Sequence, residues 1–122
     1  MNLELTEEQT LLRDSVRAFA REQILPNAEE IDKKGEFPQA QFDAMAEMGL
    51  MGVAIPEEWG GAAMDHVAYA LAIEEISAAC ASCGVITSVN NSLVCDPLLR
   101  FGTEAQKEKW LKPIASGQMI GC

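Results

Sequence analysis

The stretch Ile76 to Cys95, ISAACASCGVITSVNNSLVC, runs for twenty residues without a Lys, Arg, Asp or Glu, and its reading decides the fold. A run of that kind belongs inside a protein or inside a bilayer. Ser77, Ser82, Thr87, Ser88, Asn90, Asn91 and Ser92 exclude the bilayer, because hydroxyl and amide groups facing lipid would have no water to bond. What remains is a buried helix, predicted from about Ser82 to Arg100: Gly102 follows Phe101 where a C-terminal cap belongs, and Thr103 can open the next helix. On a 3.6-residue repeat Val85, Val89 and Leu93 share one face, with Ile86 and Ser92 beside it. Ser88, Asn90 and Asn91 lie elsewhere on the circumference, so neighbours must surround the helix and satisfy its polar groups.

The rest of the composition agrees with a packed domain. The 122 residues suffice for one core without disulfides or metals, and 48% hydrophobic against 23% charged residues is globular. Nine basic against nineteen acidic residues give a net charge of −10, which argues against nucleic acid or an anionic membrane as main partner. The opening Met1-Asn2-Leu3-Glu4 is acidic and has no apolar targeting core, which points to the cytoplasm. Cys80, Cys83, Cys95 and Cys122 read as small apolar residues of a helical core. Cys80-x-x-Cys83 has metal-ligand spacing, but its flanks lack the features of a zinc knuckle and His66 is not placed as a partner, so metal and redox roles are set aside.

Outward from the central helix the signals are helical. Thr6-Glu7-Glu8-Gln9 is a capping box, and Leu5, Leu12, Val16 and Phe19 recur around it at helical spacing, with Arg13, Asp14, Arg17 and Arg21 facing out. Pro26 ends or bends this helix, and a charged piece from Asn27 to Lys34 stops at Gly35. Phe37-Pro38 starts another helix, buried through Phe42, Met45 and Ala46 and closed by Gly49. Leu50 to Pro56 reads as an extended piece leading into a turn at Glu57-Glu58-Trp59-Gly60-Gly61. Asp65 caps a further helix with Tyr69, Ile73, Ile76 and Cys80 on one stripe. Glu74 and Glu75 fall largely outside that stripe, as a solvated face rather than a catalytic pair, since neighbouring side chains on a helix diverge. His66 reads as a surface or capping residue. Thr103-Glu104-Ala105-Gln106 repeats the capping box, ahead of Trp110, Leu111 and Ile114. Met119 to Cys122 is apolar and strand-like, so the chain reads as cut.

The fold class is therefore all-α: a bundle of about five or six helices over residues 1–122, with one short extended or loop connection around residues 50–64. No nucleophile sits beside a base, no metal set is present, and Gly60-Gly61 lacks phosphate-loop spacing. Taken alone, these residues would also suit a stand-alone helical interaction module that binds a partner protein and catalyses nothing.

The order of motifs, however, resembles the flavin-dependent acyl-CoA dehydrogenases over essentially the whole chain. The matching pieces are Leu5-Thr6-Glu7-Glu8-Gln9, Ile24-Leu25-Pro26, Gly52-Val53 through Pro56-Glu57-Glu58-Trp59-Gly60-Gly61, and Ile73-Glu74-Glu75-Ile76. Asn91-Ser92-Leu93, Phe101 to Lys107 and Met119 to Cys122 complete the series, and Ser88 to Leu93 looks most like the short-chain, butyryl-CoA type. One departure is Ala63, where members of the family often have glycine.

The resemblance implies the N-terminal helical domain of a three-domain enzyme, with a middle β domain and a C-terminal helical domain beyond this segment. It implies FAD, an acyl-CoA substrate, an electron-transfer flavoprotein and a homotetramer for the full-length enzyme. The catalytic base is expected in the C-terminal domain, so no residue here is nominated as catalytic, cofactor-binding or metal-binding, and the segment alone is expected to be inactive. By the same resemblance Val85, Ile86, Val89 and Leu93 line one wall of the acyl pocket, with Asn90 near it. β-Branched residues at positions 85 and 89 suggest a shallow pocket for short acyl chains; a sibling with another acyl preference, or one that passes electrons to oxygen, is the variant reading.

Overall fold

Thr6 starts the first helix as its spacing predicts: its hydroxyl accepts from Gln9 N–H while the Gln9 side chain accepts from Thr6 N–H. The computed structural model describes residues 2–122, and the path from this cap is helical for most of its length. Helix α1 (Glu7–Phe19) continues through a π-helical segment (Ala20–Ile24) and a 3-10 turn (Leu25–Asn27) into α2 (Ala28–Lys34). Then come α3 (Gln39–Glu47), a 3-10 turn (Glu57–Trp59), α4 (His66–Ala79) and α5 (Ala81–Ser88). Helix α5 runs through a second π segment (Val89–Cys95) into α6 (Asp96–Phe101); α7 (Glu104–Gln106) runs through a third (Lys107–Leu111) into α8 (Lys112–Ala115). Joined end to end, these make five helical rods, and among the described residues there is no strand.

Each π segment ends two residues before a proline: Ile24 before Pro26, Cys95 before Pro97, Leu111 before Pro113. Proline has no N–H to donate, and its ring collides with the carbonyl four residues back. Those carbonyls belong to Glu22, Leu93 and Lys109, each inside a π segment. In all three places the residue before the proline bonds one residue further back than in an α-helix: Leu25 N–H to Ala20 O, Asp96 N–H to Asn91 O, Lys112 N–H to Lys107 O. The wider turn carries the threatened carbonyl clear of the ring, so a rod keeps its direction across a residue that would otherwise break it.

The core forms in two parts. The larger holds Val16, Phe19, Ile24, Phe42, Met45, Met51 and Ile76; the smaller holds Ile55, Cys95, Leu111, Ile114 and Ala115. Helix α1 lies against α4, and Arg17 crosses between them with a two-pronged bond to Glu75 (Nε to Oε2 3.0 Å, Nη2 to Oε1 2.6 Å). This corrects the solvated face expected for Glu75, whose side chain is only 13% exposed. The Arg17 guanidinium holds its carboxyl below the ordinary value. Asp65 caps α4 by accepting from Ala68 N–H (2.7 Å) and also accepts from the buried Gln9 amide (2.6 Å), which ties the starts of α1 and α4 together.

A further expectation fails for a physical reason. Residues 50–55 are turns rather than an extended piece, because side chains and the returning loop take up their backbone groups. Ala62 N–H donates to Gly52 O, Ala63 N–H to Ile55 O and Met64 N–H to Val53 O, each at 2.9 Å. Met119 to Cys122 pair with no strand, and Gly121 N–H donates to the Asn90 side chain instead. Trp110, expected on the apolar side, is 41% exposed with the Lys109 ammonium 4.8 Å from its ring centre. The chain crosses itself where Gly61 packs on Ile55, leaving no room for a side chain. Ala63 then adopts φ 53°, the left-handed conformation that glycine takes more easily.

Candidate functional site

The rod spanning residues 81–101 has two unlike sides. On the inner side Thr87, Asn90 and Asn91 are buried, and their polar groups are all engaged. Asn91 accepts from Val53 N–H (2.8 Å) and donates to Leu50 O (2.8 Å) and Thr87 O (2.9 Å). Asn90 donates to Met51 O (2.7 Å) and, at longer range, to Ile114 O (3.4 Å), and accepts from Gly121 N–H (2.8 Å). Thr87 donates to Cys83 O (2.9 Å). The two adjacent amides thus clasp the 50–53 turns on one hand and the 114–121 segment on the other. The wide turn helps: it sets Cys95 five residues beyond Asn90 on the same side, with its sulfur 3.9 Å from the amide nitrogen. Burial pushes the Cys95 thiol up to about 12, so it stays protonated.

The outer side is apolar and uncovered. Val85 is 61% exposed and Leu93 68%, while Val89 between them is half-buried. Two clefts flank this side. One, of about 600 Å³, lies by Ile31, Phe37, Pro38, Val85 and Ile86, with Asp32 and Glu36 on its rim. The other, of about 500 Å³, lies at the far end by Leu93, Leu98, Phe101 and Trp110. The five residues expected around an acyl pocket are therefore divided: Val85 and Ile86 in one cleft, Leu93 in the other, Val89 between, and Asn90 inside the fold. Neither of these two clefts holds them all. A smaller recess of about 160 Å³, unsuspected from sequence, has Ala54 and Ile55 in its wall with His66, Tyr69, Asp96 and Arg100 around it. Arg100 is held there by Asp96 (2.7 Å). No sequence signal marks it, because its walls come from three separate segments.

A flavin dinucleotide or a CoA carries phosphates and needs free cations or N–H groups. Among the described residues seven of the nine basic side chains are paired with carboxylates, with Arg21 and Lys109 standing apart. Among the described residues no group of three His, Cys, Asp or Glu could hold a metal ion, and no helix is long and apolar enough to cross a membrane.

Residues 6–118 match the family model described as acyl-CoA dehydrogenase, N-terminal domain. The chain is 50% identical over 121 residues to the mitochondrial short-chain specific acyl-CoA dehydrogenase of Bos taurus, covering 99% of this chain and 29% of that one. The solved butyryl-CoA dehydrogenase of Megasphaera elsdenii superposes with a TM-score of 0.90 at 32% identity, covering 99% of this chain and 32% of that one. A chain solved in work on the electron transferring flavoprotein of Acidaminococcus fermentans and flavin-based electron bifurcation superposes at 0.94, with 40% identity and the same coverage. The chain thus spans about a third of the length of these relatives.

Proposed function

Because this chain belongs to the acyl-CoA dehydrogenase family, as its N-terminal helical domain, we propose that it builds one wall of the acyl pocket in a three-domain, FAD-dependent enzyme. That enzyme would dehydrogenate short acyl-CoA thioesters between the α and β carbons. The observation that carries this reading is the uncovered stripe of Val85, Val89 and Leu93 on a rod whose other side is saturated with hydrogen bonds. An apolar face of that kind on a buried scaffold calls for a covering group.

The chain's own contribution is shape and dryness. Val85, Ile86, Val89 and Leu93 would set how much of an acyl chain fits and keep water from it, while Asn90 acts from behind by fixing the rod against the 50–53 turns. Each methylene accepted or refused is worth about 1–3 kcal/mol, so the preference is graded. The catalytic base and the flavin contacts belong to the middle and C-terminal domains. An electron-transfer flavoprotein as acceptor and a homotetramer complete the proposal for the full enzyme.

Two measurements test it. In the full-length enzyme Val89→Glu should weaken turnover of butyryl-CoA by tenfold or more, since a carboxylate in an apolar wall must be desolvated; unchanged kinetics would remove Val89 from the wall. The purified 122-residue chain should show neither flavin absorbance nor turnover with an artificial acceptor, and robust activity would overturn the division of labour.

A further inference from the structure

Cys80 belongs to two helices at once. Its N–H donates to Ile76 O (2.9 Å) and closes α4, and the same residue, extended at φ −158° and ψ 113°, is the N-cap of α5. Gly84 N–H donates to Cys80 O (3.0 Å), so residues 80 to 84 form one helical turn and Cys83 occupies its third position. With a rise of 1.5 Å per residue on a 2.3 Å radius, Cα atoms three apart are about 5 Å from each other. That lies within the span of roughly 4.4–6.8 Å that disulfides bridge. Both thiols are free and sit on this one turn. The corner is rigid: a Cβ on Gly84 would lie 2.9 Å from Ser77 Cβ and 3.0 Å from its Cα, so α4 and α5 touch through backbone there. A metal would need further ligands, and the described residues supply none.

We propose that Cys80 and Cys83 are a reversible thiol–disulfide site, oxidised by low-molecular-weight disulfides, that staples the corner between α4 and α5. Cys80 is 8% exposed and Cys83 fully buried, so the small disulfide RSSR meets Cys80 first. The Cys80 thiolate attacks one sulfur of RSSR, forming a mixed disulfide and releasing RS⁻. The Cys83 sulfur then attacks the Cys80 sulfur and displaces the second RS⁻, and the released thiolates take up the two protons. Two protein thiols lose two hydrogens and one RSSR becomes two RSH. Burial pushes the Cys83 thiol up to about 12, which leaves little of it as the attacking thiolate; its place on the same helical turn as Cys80 offsets this in the second, intramolecular step. The staple would fix the turn from which the Val85–Val89 face starts.

The test uses the purified chain carrying Cys122→Ser, which removes the exposed thiol, incubated with glutathione disulfide and quenched with iodoacetamide in guanidinium. The expected product has lost two hydrogens, carries no glutathione, maps to a bridged Cys80–Cys83 peptide and regains two alkylatable thiols with dithiothreitol. Oxidation should be at least tenfold faster in the folded chain than in guanidinium. Cys80→Ser, at the edge of the core, should abolish the loss of two hydrogens while keeping the far-ultraviolet helical spectrum; Cys83→Ser should do the same to the mass. A persistent glutathione adduct at Cys80, two unmodified thiols, or equal rates in folded and unfolded chains would overturn the proposal.

Discussion

Replacing Asn90 by alanine tests whether the inner side of the rod holds the fold together. The side chain satisfies Met51 O at 2.7 Å and Gly121 N–H at 2.8 Å, both buried, and Ile114 O at a weaker 3.4 Å. A buried backbone group left without a partner costs about 1–3 kcal/mol. Two such groups, with some relief where the non-helical Gly121 segment can turn, give about 2–4 kcal/mol, a large share of the 5–15 kcal/mol typical of a domain. Urea unfolding followed by circular dichroism should show that loss with an unchanged slope. Val85→Ala, at a position 61% exposed, should stay within about 0.5 kcal/mol. Asn90→Asp adds a signature that simple truncation lacks. A carboxylate facing Met51 O has no proton to donate and is desolvated, so its folded pKa is raised; the folded state binds the extra proton, and stability falls as pH rises from about 4 upward. A loss below about 1 kcal/mol for Asn90→Ala, or a flat pH profile for Asn90→Asp, would refute the clasp.

Asp65→Ala removes an N-cap worth about 1 kcal/mol and strands the buried Gln9 amide, for a total of about 2–3 kcal/mol in the same urea assay. Ala68 N–H and the Gln9 amide hold the Asp65 carboxyl below its ordinary 3.8. Its contribution is therefore present above 3.8 and disappears as pH falls through the lower folded value, and the Asp65→Ala chain should lose less stability over that acid window. Ala63→Gly relieves a left-handed alanine, worth about 1–2 kcal/mol, against an unfolded-state entropy cost of about 0.4–1 kcal/mol; the net is a rise of up to about 1 kcal/mol, read as a higher urea midpoint.

Local signals carried most of the fold. Thr6 and Thr103 cap with their glutamines as the spacing says, Gly35 and Gly49 end their helices in left-handed conformations, and the central helix starts and stops within a residue of Ser82 and Arg100. Each of these depends on residues a turn apart. The misreadings are all long-range. Residues 51, 53 and 55 are apolar and buried at alternate positions, which reads as a strand until Asn90 and Asn91, nearly forty places on, are seen to take the backbone groups a strand would offer its neighbour. Glu75 looks solvated until Arg17 reaches it from α1. The stripe of Val85, Val89 and Leu93 was legible by periodicity, but its division between two clefts was not, since the loop holding Phe37 and the rod holding Trp110 approach it from opposite ends.

The π segments make the central rod intolerant of length change. A turn of this kind is an α-turn with one residue inserted, and each residue of an α-helix advances about 100° around the axis. Deleting one residue between 89 and 95 would return that stretch to an ordinary α-helix and remove the widened turn that carries the Leu93 carbonyl clear of the proline ring. Pro97 would then meet a carbonyl with nowhere to go. A related chain can lose the additional residue only by losing the proline with it.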